Sequence, residues 1–177
     1  MKSSLLLILI VTALGCTNSE FDAGDLSKHD PWVIRTCSDR TDVWTKLKQQ
    51  IASPQGSTGF RANVKFVDDP IYYGLTGIDL VRALPSDYPS GFVFVVDGTT
   101  SEAQEDLVTL HYFFPDSDNV ADYQREPAET PDADLQTVKL LPSAMQEIEN
   151  NLSISNIDMA DVFNGLSSDK IYRGIKQ

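Results

Sequence analysis

Three carboxylates stand where strands are expected to end, and they are the chain's best opening for chemistry. Asp68 and Asp69 follow an alternating run over 60–66, and Asp97 follows the apolar run FVFVV at 92–96. Ligands collect at the carboxyl ends of strands in open α/β sheets. If the two strands are parallel neighbours, Asp68, Asp69 and Asp97 converge. Crowded acids raise each other's pKa unless a cation compensates, so convergence would favour Mg²⁺ or Ca²⁺ and a divalent-metal-dependent hydrolase. The same residues also suit plain turn chemistry. Asp-Asp-Pro and Asp-Gly form turns in which the carboxylates accept nearby backbone N–H groups, and that reading needs no cofactor.

A second polar cluster, Glu147, Glu149, Asn150 and Asn151, sits beside the Leu152-Ser153-Ile154 turn. It could face the strand ends and complete a site, or its asparagines could close a helix. Asn151-Leu152-Ser153 is also an N-glycosylation sequon, with meaning for Asn151 only in a eukaryotic secretory pathway and only on an exposed turn. Nucleophilic catalysis has little to stand on. His29 lies ahead of the folded body, which leaves His111, and no G-x-S-x-G elbow surrounds any serine. Cys37 with His111 would make a thiolate pair only if the fold joined them. The chain has no Cys/His metal spacing, phosphate-cradling glycine loop or dinucleotide fingerprint.

The elements that must position these groups follow from periodicity. Trp32 to Thr36 reads as a short strand after Pro31, and Val43, Trp44, Leu47 and Ile51 recur at helical spacing, with Ser38 or Asp39 as the expected cap. Phe60, Ala62, Val64 and Phe66 alternate with polar residues, as in a strand with one wet face. Ile78, Leu80, Val81 and Leu84 predict a short helix. The continuous run 92–96 predicts a strand covered on both faces. Residues 107–114 and 137–141 predict two more strands. Pro142 then opens a helix carrying Met145, Ile148, Glu149 and Leu152. Ser155 or Asn156 is the expected cap of a last helix through Met159, Val162, Phe163 and Leu166, ended by Gly165, and 171–175 reads as an edge strand. The expected fold is a mixed α+β domain over 31–177, with a mixed sheet of about five strands and roughly three or four helices.

Several of these stretches also carry a resemblance. VIRT at 33–36 with Trp44, GFRANVKFVDDP at 59–70, YGLT at 73–76, FVFVVDGTT at 92–100, ENNLSISNIDMADVFNGL at 149–166 and YRG at 172–174 resemble a family of small, mostly bacterial proteins. That family is a domain of unknown function, and the likeness covers residues 32–175. The resemblance implies a fold and its boundaries, not a mechanism. The family pattern has Asp-Phe after the VIRT-like strand, where this chain has Cys37-Ser38. The segment 115–134 looks like an insertion into a more compact family core.

The first residues supply an address. Lys2, the apolar stretch from Leu5 to Leu14 broken only by Thr12, and Ala13-Leu14-Gly15 match a signal peptide over 1–15. The stretch is far short of the about 20 residues a spanning helix needs. Cys16 directly after it fits either an ordinary secretory cut or a bacterial lipoprotein signal, in which Cys16 is lipidated. Residues 16–30 are polar and aperiodic and read as a tether.

With 26 Asp+Glu against 14 Lys+Arg, the net charge is −12. Such a body repels nucleic acid and anionic membranes, so a membrane is met only through a lipid on Cys16. Segment 115–134 holds seven acidic residues, one arginine and three prolines, which suits a solvated loop or a docking segment for a basic protein. The reading that follows is an exported, secreted or lipid-anchored, non-enzymatic binding module. The rivals are the metal-dependent hydrolase and an acidic inhibitor or immunity-like protein.

Overall fold

A computed structural model describes residues 29–55, 59–113 and 135–174. The expected export signal, Cys16, the tether up to residue 28, the acidic segment 115–134 and the last residues from 175 lie outside the described residues. The elements run β1 (Trp32–Arg35), α1 (Thr41–Ala52), β2 (Lys65–Val67), α2 (Gly77–Ala83), β3 (Phe92–Val96), β4 (Val108–Phe113), β5 (Leu135–Leu140), α3 (Met145–Ser153), α4 (Met159–Asn164) and β6 (Ile171–Tyr172). Short 3₁₀ turns at Pro70–Tyr72 and Pro142–Ala144 lead out of β2 and into α3.

The strands form one mixed sheet in the order β2-β1-β3-β4-β5-β6. β1 is parallel to both β2 and β3, β3-β4-β5 is an antiparallel meander, and β6 returns parallel to β5. The sixth strand is the short edge at Ile171–Tyr172, and among the described residues the helices number four. Every residue of β3 is buried, as the unbroken apolar run requires of a strand with cover on both faces.

Alternation along the strands divides the core. Val33, Phe92, Phe94, Val96, Val108, Leu110, Val138 and Leu140 meet α1, α3 and α4 through Leu47, Ile51, Met145, Ile148 and Val162. Ile34, Val93, Val95 and Phe113 meet α2 and its flanks through Leu80, Val81, Leu84 and Tyr88. The helical spacings Val43, Trp44, Leu47, Ile51 and Met145, Ile148, Glu149, Leu152 are the buried faces of α1 and α3. Gly165 ends α4, and a Cβ there would lie 2.8 Å from the Tyr172 ring, so only glycine lets β6 close so tightly on the helix.

Three local expectations are corrected. The alternating stretch from Phe60 joins the ladder only at Lys65–Val67. β1 begins just after Pro31, so the chain upstream of Lys65 has no strand to pair with, and the Asn63 N–H goes to Glu149 Oε2 at 3.0 Å instead. Ala62, Val64 and Phe66 still lean on the core, while Phe60 is 64% exposed. The cap of α1 is Arg40, with no side-chain capping bond, because the backbone at Cys37 and Ser38 is wrapped around a buried guanidinium. The cap of α4 is Asp158, in a reciprocal capping box with Asp161. Ser155 instead takes a left-handed conformation that ends α3.

Truncating Phe94, fully buried between β3 and α1, to alanine should cost about 3–5 kcal/mol of folding stability. Phe60→Ser should stay within about 0.5 kcal/mol. Urea unfolding midpoints of the two variants measure the contrast.

Candidate functional site

Because β1, β2 and β3 run in one direction, their carboxyl ends share one edge of the sheet, and the sequence-predicted acids are there. A basic residue organises that edge. Arg35, the last residue of β1, is 5% exposed. Its Nε donates to the Cys37 carbonyl at 2.8 Å, and its Nη2 donates to the Ser38 carbonyl at 2.9 Å and to Thr41 Oγ1 at 2.7 Å. Its Nη1 donates to Asp68 Oδ2 at 3.2 Å. Burial alone would lower the pKa of Arg35, but the Asp68 carboxylate more than offsets that and keeps the guanidinium charged.

Asp68 also accepts the Tyr73 hydroxyl at 2.7 Å, and the Arg35 guanidinium lies 5.6 Å from the Tyr73 ring centroid. The Tyr73 hydrogen bond and then Arg35 hold the Asp68 carboxyl below its ordinary range, despite some burial. Asp69 takes a different job. Its Oδ1 accepts the Ile71 N–H at 3.0 Å and so caps the 3₁₀ turn behind Pro70.

Asp97 ends the neighbouring strand of β1 on its other side. Its Oδ1 accepts the Thr99 N–H at 2.9 Å, and its Oδ2 accepts Lys139 Nζ at 2.7 Å and Thr109 Oγ1 at 3.1 Å. Burial pushes its carboxyl up, but the Lys139 ammonium and the Thr99 donors outweigh burial and the net position is low. Gly98, at φ 77°, completes the turn, and a Cβ there would sit 3.2 Å from Arg40 Cγ and 3.5 Å from Cys37 Cβ.

The three acids are therefore placed but not gathered. β1 lies between β2 and β3, so their strands are not neighbours. Strand alternation puts Asp68 on the α1 side and Asp97 on the α2 side. Each has its own cation, and among the described residues no group of three or more His, Cys, Asp and Glu side chains could hold a metal ion. Asp69 and Asp97 both make the turn bonds that Asp-Asp-Pro and Asp-Gly imply.

The other candidates are likewise engaged. Cys37 is a free, buried thiol whose Sγ lies 3.4 Å from the Val96 carbonyl, and burial raises its pKa more than Arg35 lowers it. His111 pairs with Val93 across the sheet, on the α2 face, and its Nδ1 meets Thr137 Oγ1 at 3.0 Å. Burial, reinforced by Lys139, presses the His111 pKa down to about 4. Cys37 belongs to the core on the opposite face, so the thiol and the imidazole do not meet.

In the ENNLSI stretch, Glu149 is 3% exposed and accepts the Asn63 N–H and Ser153 Oγ at 3.1 Å. Burial raises its pKa, and those two donors only moderate the rise. Glu147 accepts the Tyr172 hydroxyl. Asn151 donates to the Glu147 carbonyl at 2.8 Å and accepts from Asn156 at 2.7 Å, which closes the end of α3.

Sequence reasoning passed over three features. Arg35 carried a signal, a charge placed inside the apolar alternation of WVIR. Lys139 sits in the same way within LQTVKL. The third carried none, because it is made by packing. A cleft of about 590 Å³ opens between α1 and the turn from β5 into α3, lined by Lys46, Gln50, Gln55, Asp106, Leu141 and Ser143 among others. Lys46 and Asp106 are paired across it at 2.6 Å.

These features define a small mixed α/β domain whose parallel strand ends are closed by internal ion pairs. The chain belongs to the family described as a domain of unknown function, DUF6924, whose model matches residues 30–175. No curated protein matches it, and no solved structure does either.

Arg35→Met would strand two backbone carbonyls and a hydroxyl, and should cost about 2–4 kcal/mol. Asp68→Asn, at a partly exposed partner, should cost less than about 1 kcal/mol. Denaturant titration of both variants checks that asymmetry.

The acid limb of stability should belong in part to His111. The unfolded chain takes a proton near about pH 6.5, whereas the folded state resists it until about 4. The unfolded state binds more protons in that window, so stability is full above it and falls by up to about 3 kcal/mol as pH drops through it. Asp68 and Asp97, held low, add losses of the same sign at lower pH, while Glu149, held high, works the other way. Urea midpoints measured from about pH 7 to about pH 4 should fall less steeply in His111→Asn.

Proposed function

We propose that this protein is a non-enzymatic binding module, carried on an exported, acidic chain, whose ligand sits in the cleft between α1 and the β5–α3 turn. The observation that carries the reading is a division of labour. The acids, the thiol and the imidazole that could do chemistry each hold a structural partner, whereas the cleft remains open to solvent. Its wall combines apolar Leu141 and Pro142 with the hydrogen-bonding side chains of Gln50 and Ser143 and the Lys46–Asp106 pair. Binding sites commonly have that mixture of apolar wall and few polar groups. Export rests on the leader pattern over 1–15 and on Cys16, which a bacterial envelope would lipidate. The acidic segment 115–134 suits a basic protein partner, recruited by charge.

The deciding experiment combines metal titration with ligand mapping. Thermal unfolding in Mg²⁺ or Ca²⁺ should give no gain in Tm, and a fragment library screened by amide shifts should perturb Lys46, Gln50 and Ser143. Ser143→Trp should remove those shifts without lowering Tm. A metal-dependent rise in Tm that Asp68→Asn abolishes would overturn this reading in favour of the carboxylate hydrolase. A screen that leaves the cleft unperturbed would overturn it as well.

A further inference from the structure

β2 is the outer strand of the sheet, with β1 on one side and, among the described residues, no strand on the other. Its ladder fixes which backbone groups face outward. The Lys65 N–H donates to the Pro31 carbonyl at 3.0 Å, so Lys65 and Val67 turn their backbone polar groups toward β1. The next residue alternates, and Phe66 presents its N–H and C=O to the open edge. That pair offers one rung to an added strand.

The charges around this edge differ from the rest of the molecule. The chain carries a net −12, yet Lys48, Arg61 and Lys65 are exposed here and enter no ion pair among the described residues. Two of the cations are held in place by rings. Lys65 Nζ lies 4.5 Å from the Trp32 ring centroid, on the α2 face. Lys48 Nζ lies 5.5 Å from Trp44 and 5.6 Å from Phe66, on the α1 face. The edge is thus bracketed by an ammonium on each face, with Arg61 beside the chain that leads in. Of the nearby acids, Asp68 is held chiefly by Tyr73 and Arg35 and only at longer range by Lys48, and Asp69 accepts the Ile71 N–H, so the three cations outnumber the two acids beside the edge.

We propose that the β2 edge docks an extended, acidic segment of a partner protein, paired to the Phe66 backbone and flanked by Lys48, Arg61 and Lys65. The charge pattern selects that occupant over a second copy. Two such edges brought together would set these cations against their own kind, and like charges facing across a strand pair are destabilising. An acidic strand instead places carboxylates on both faces of the pleat, within reach of both ammoniums.

The test uses the full chain and a short blocked peptide with a run of consecutive glutamates between valine ends, so that carboxylates fall on both faces. Amide exchange at Phe66 should slow when the peptide is added, and affinity should fall as salt rises. The paired change Lys48→Glu with Lys65→Glu, at two exposed positions, should weaken binding by about tenfold or more. The same peptide with N-methyl groups on the amides that would face β2 should not bind, because the charges persist while the strand pairing is lost. Equal binding of the methylated peptide would overturn the proposal, as would no binding at all. Perturbation confined to the cleft beside Ser143, or Phe66 protection that grows with protein concentration in the absence of peptide, would also refute it. The cleft result and the edge result are read at different residues, so either reading can fail alone.

Discussion

A buried guanidinium governs how this chain is assembled. Removing a charge from water is expensive unless its donors are all met, so the chain around Arg35 has little freedom. Arg35 extends from β1, gathers the carbonyls of Cys37 and Ser38 and the hydroxyl at the start of α1, and reaches the acid that ends β2. One side chain thereby sets the exit of β1, the first turn of α1 and the alignment of β2. Asp68 is half-open to solvent and owes its position to this arrangement as much as to its own charge. The Tyr73 hydroxyl on the same carboxylate and the Gly74 N–H on the Thr36 carbonyl tie the next loop to the same point.

The opposite face repeats the device with a lysine. Lys139 reaches from β5 across Thr109 of β4 to Asp97 at the end of β3, so one ammonium joins the whole antiparallel meander. Two residues further along the same two strands, buried His111 meets exposed Thr137, so the polar stripe runs on from the interior to the surface. A neutral imidazole beside that ammonium is the consistent protonation state, since a second cation there would be both desolvated and repelled. Each face of the sheet thus has its own charge pair, and the acids that might have shared a metal are drawn apart by them.

How much of this was legible in the sequence depended on what each signal records. Periodicity records burial, and it located α1, β3 and α3 together with their inward faces, because Leu47, Phe94 and Ile148 sit in a repeat whatever the topology. Glu149 fell on that inward face too, and it is buried there against Asn63. Strand order is not recorded locally. Phe60 alternates as well as Phe66 does, yet only the latter has a strand beside it. The convergence of Asp68 with Asp97 turned on β2 and β3 being neighbours, a condition that β1 breaks by inserting between them. Caps failed for a related reason. Ser38 has the right chemistry for an N-cap, but Arg35 had already claimed its carbonyl.

The placement of charge follows from the same accounting of donors and acceptors. The cations Arg35, Arg40, Lys46, Lys139 and Arg173 are each matched to an acid between elements, where they fix geometry. With so few basic residues against so many acids, what remains on the surface is mostly unopposed negative charge, which makes copies of the chain repel one another. Long-range repulsion of that kind acts over about a Debye length, roughly 8 Å at physiological salt, and weakens where local cations intervene. The β2 edge is such a place, and it is also where the sheet's hydrogen bonding is incomplete. An exposed edge with neutral flanks would invite indiscriminate pairing. Lysines on both faces permit only a strand that brings its own carboxylates, so incomplete pairing and local positive charge together impose a single chemical condition on any partner.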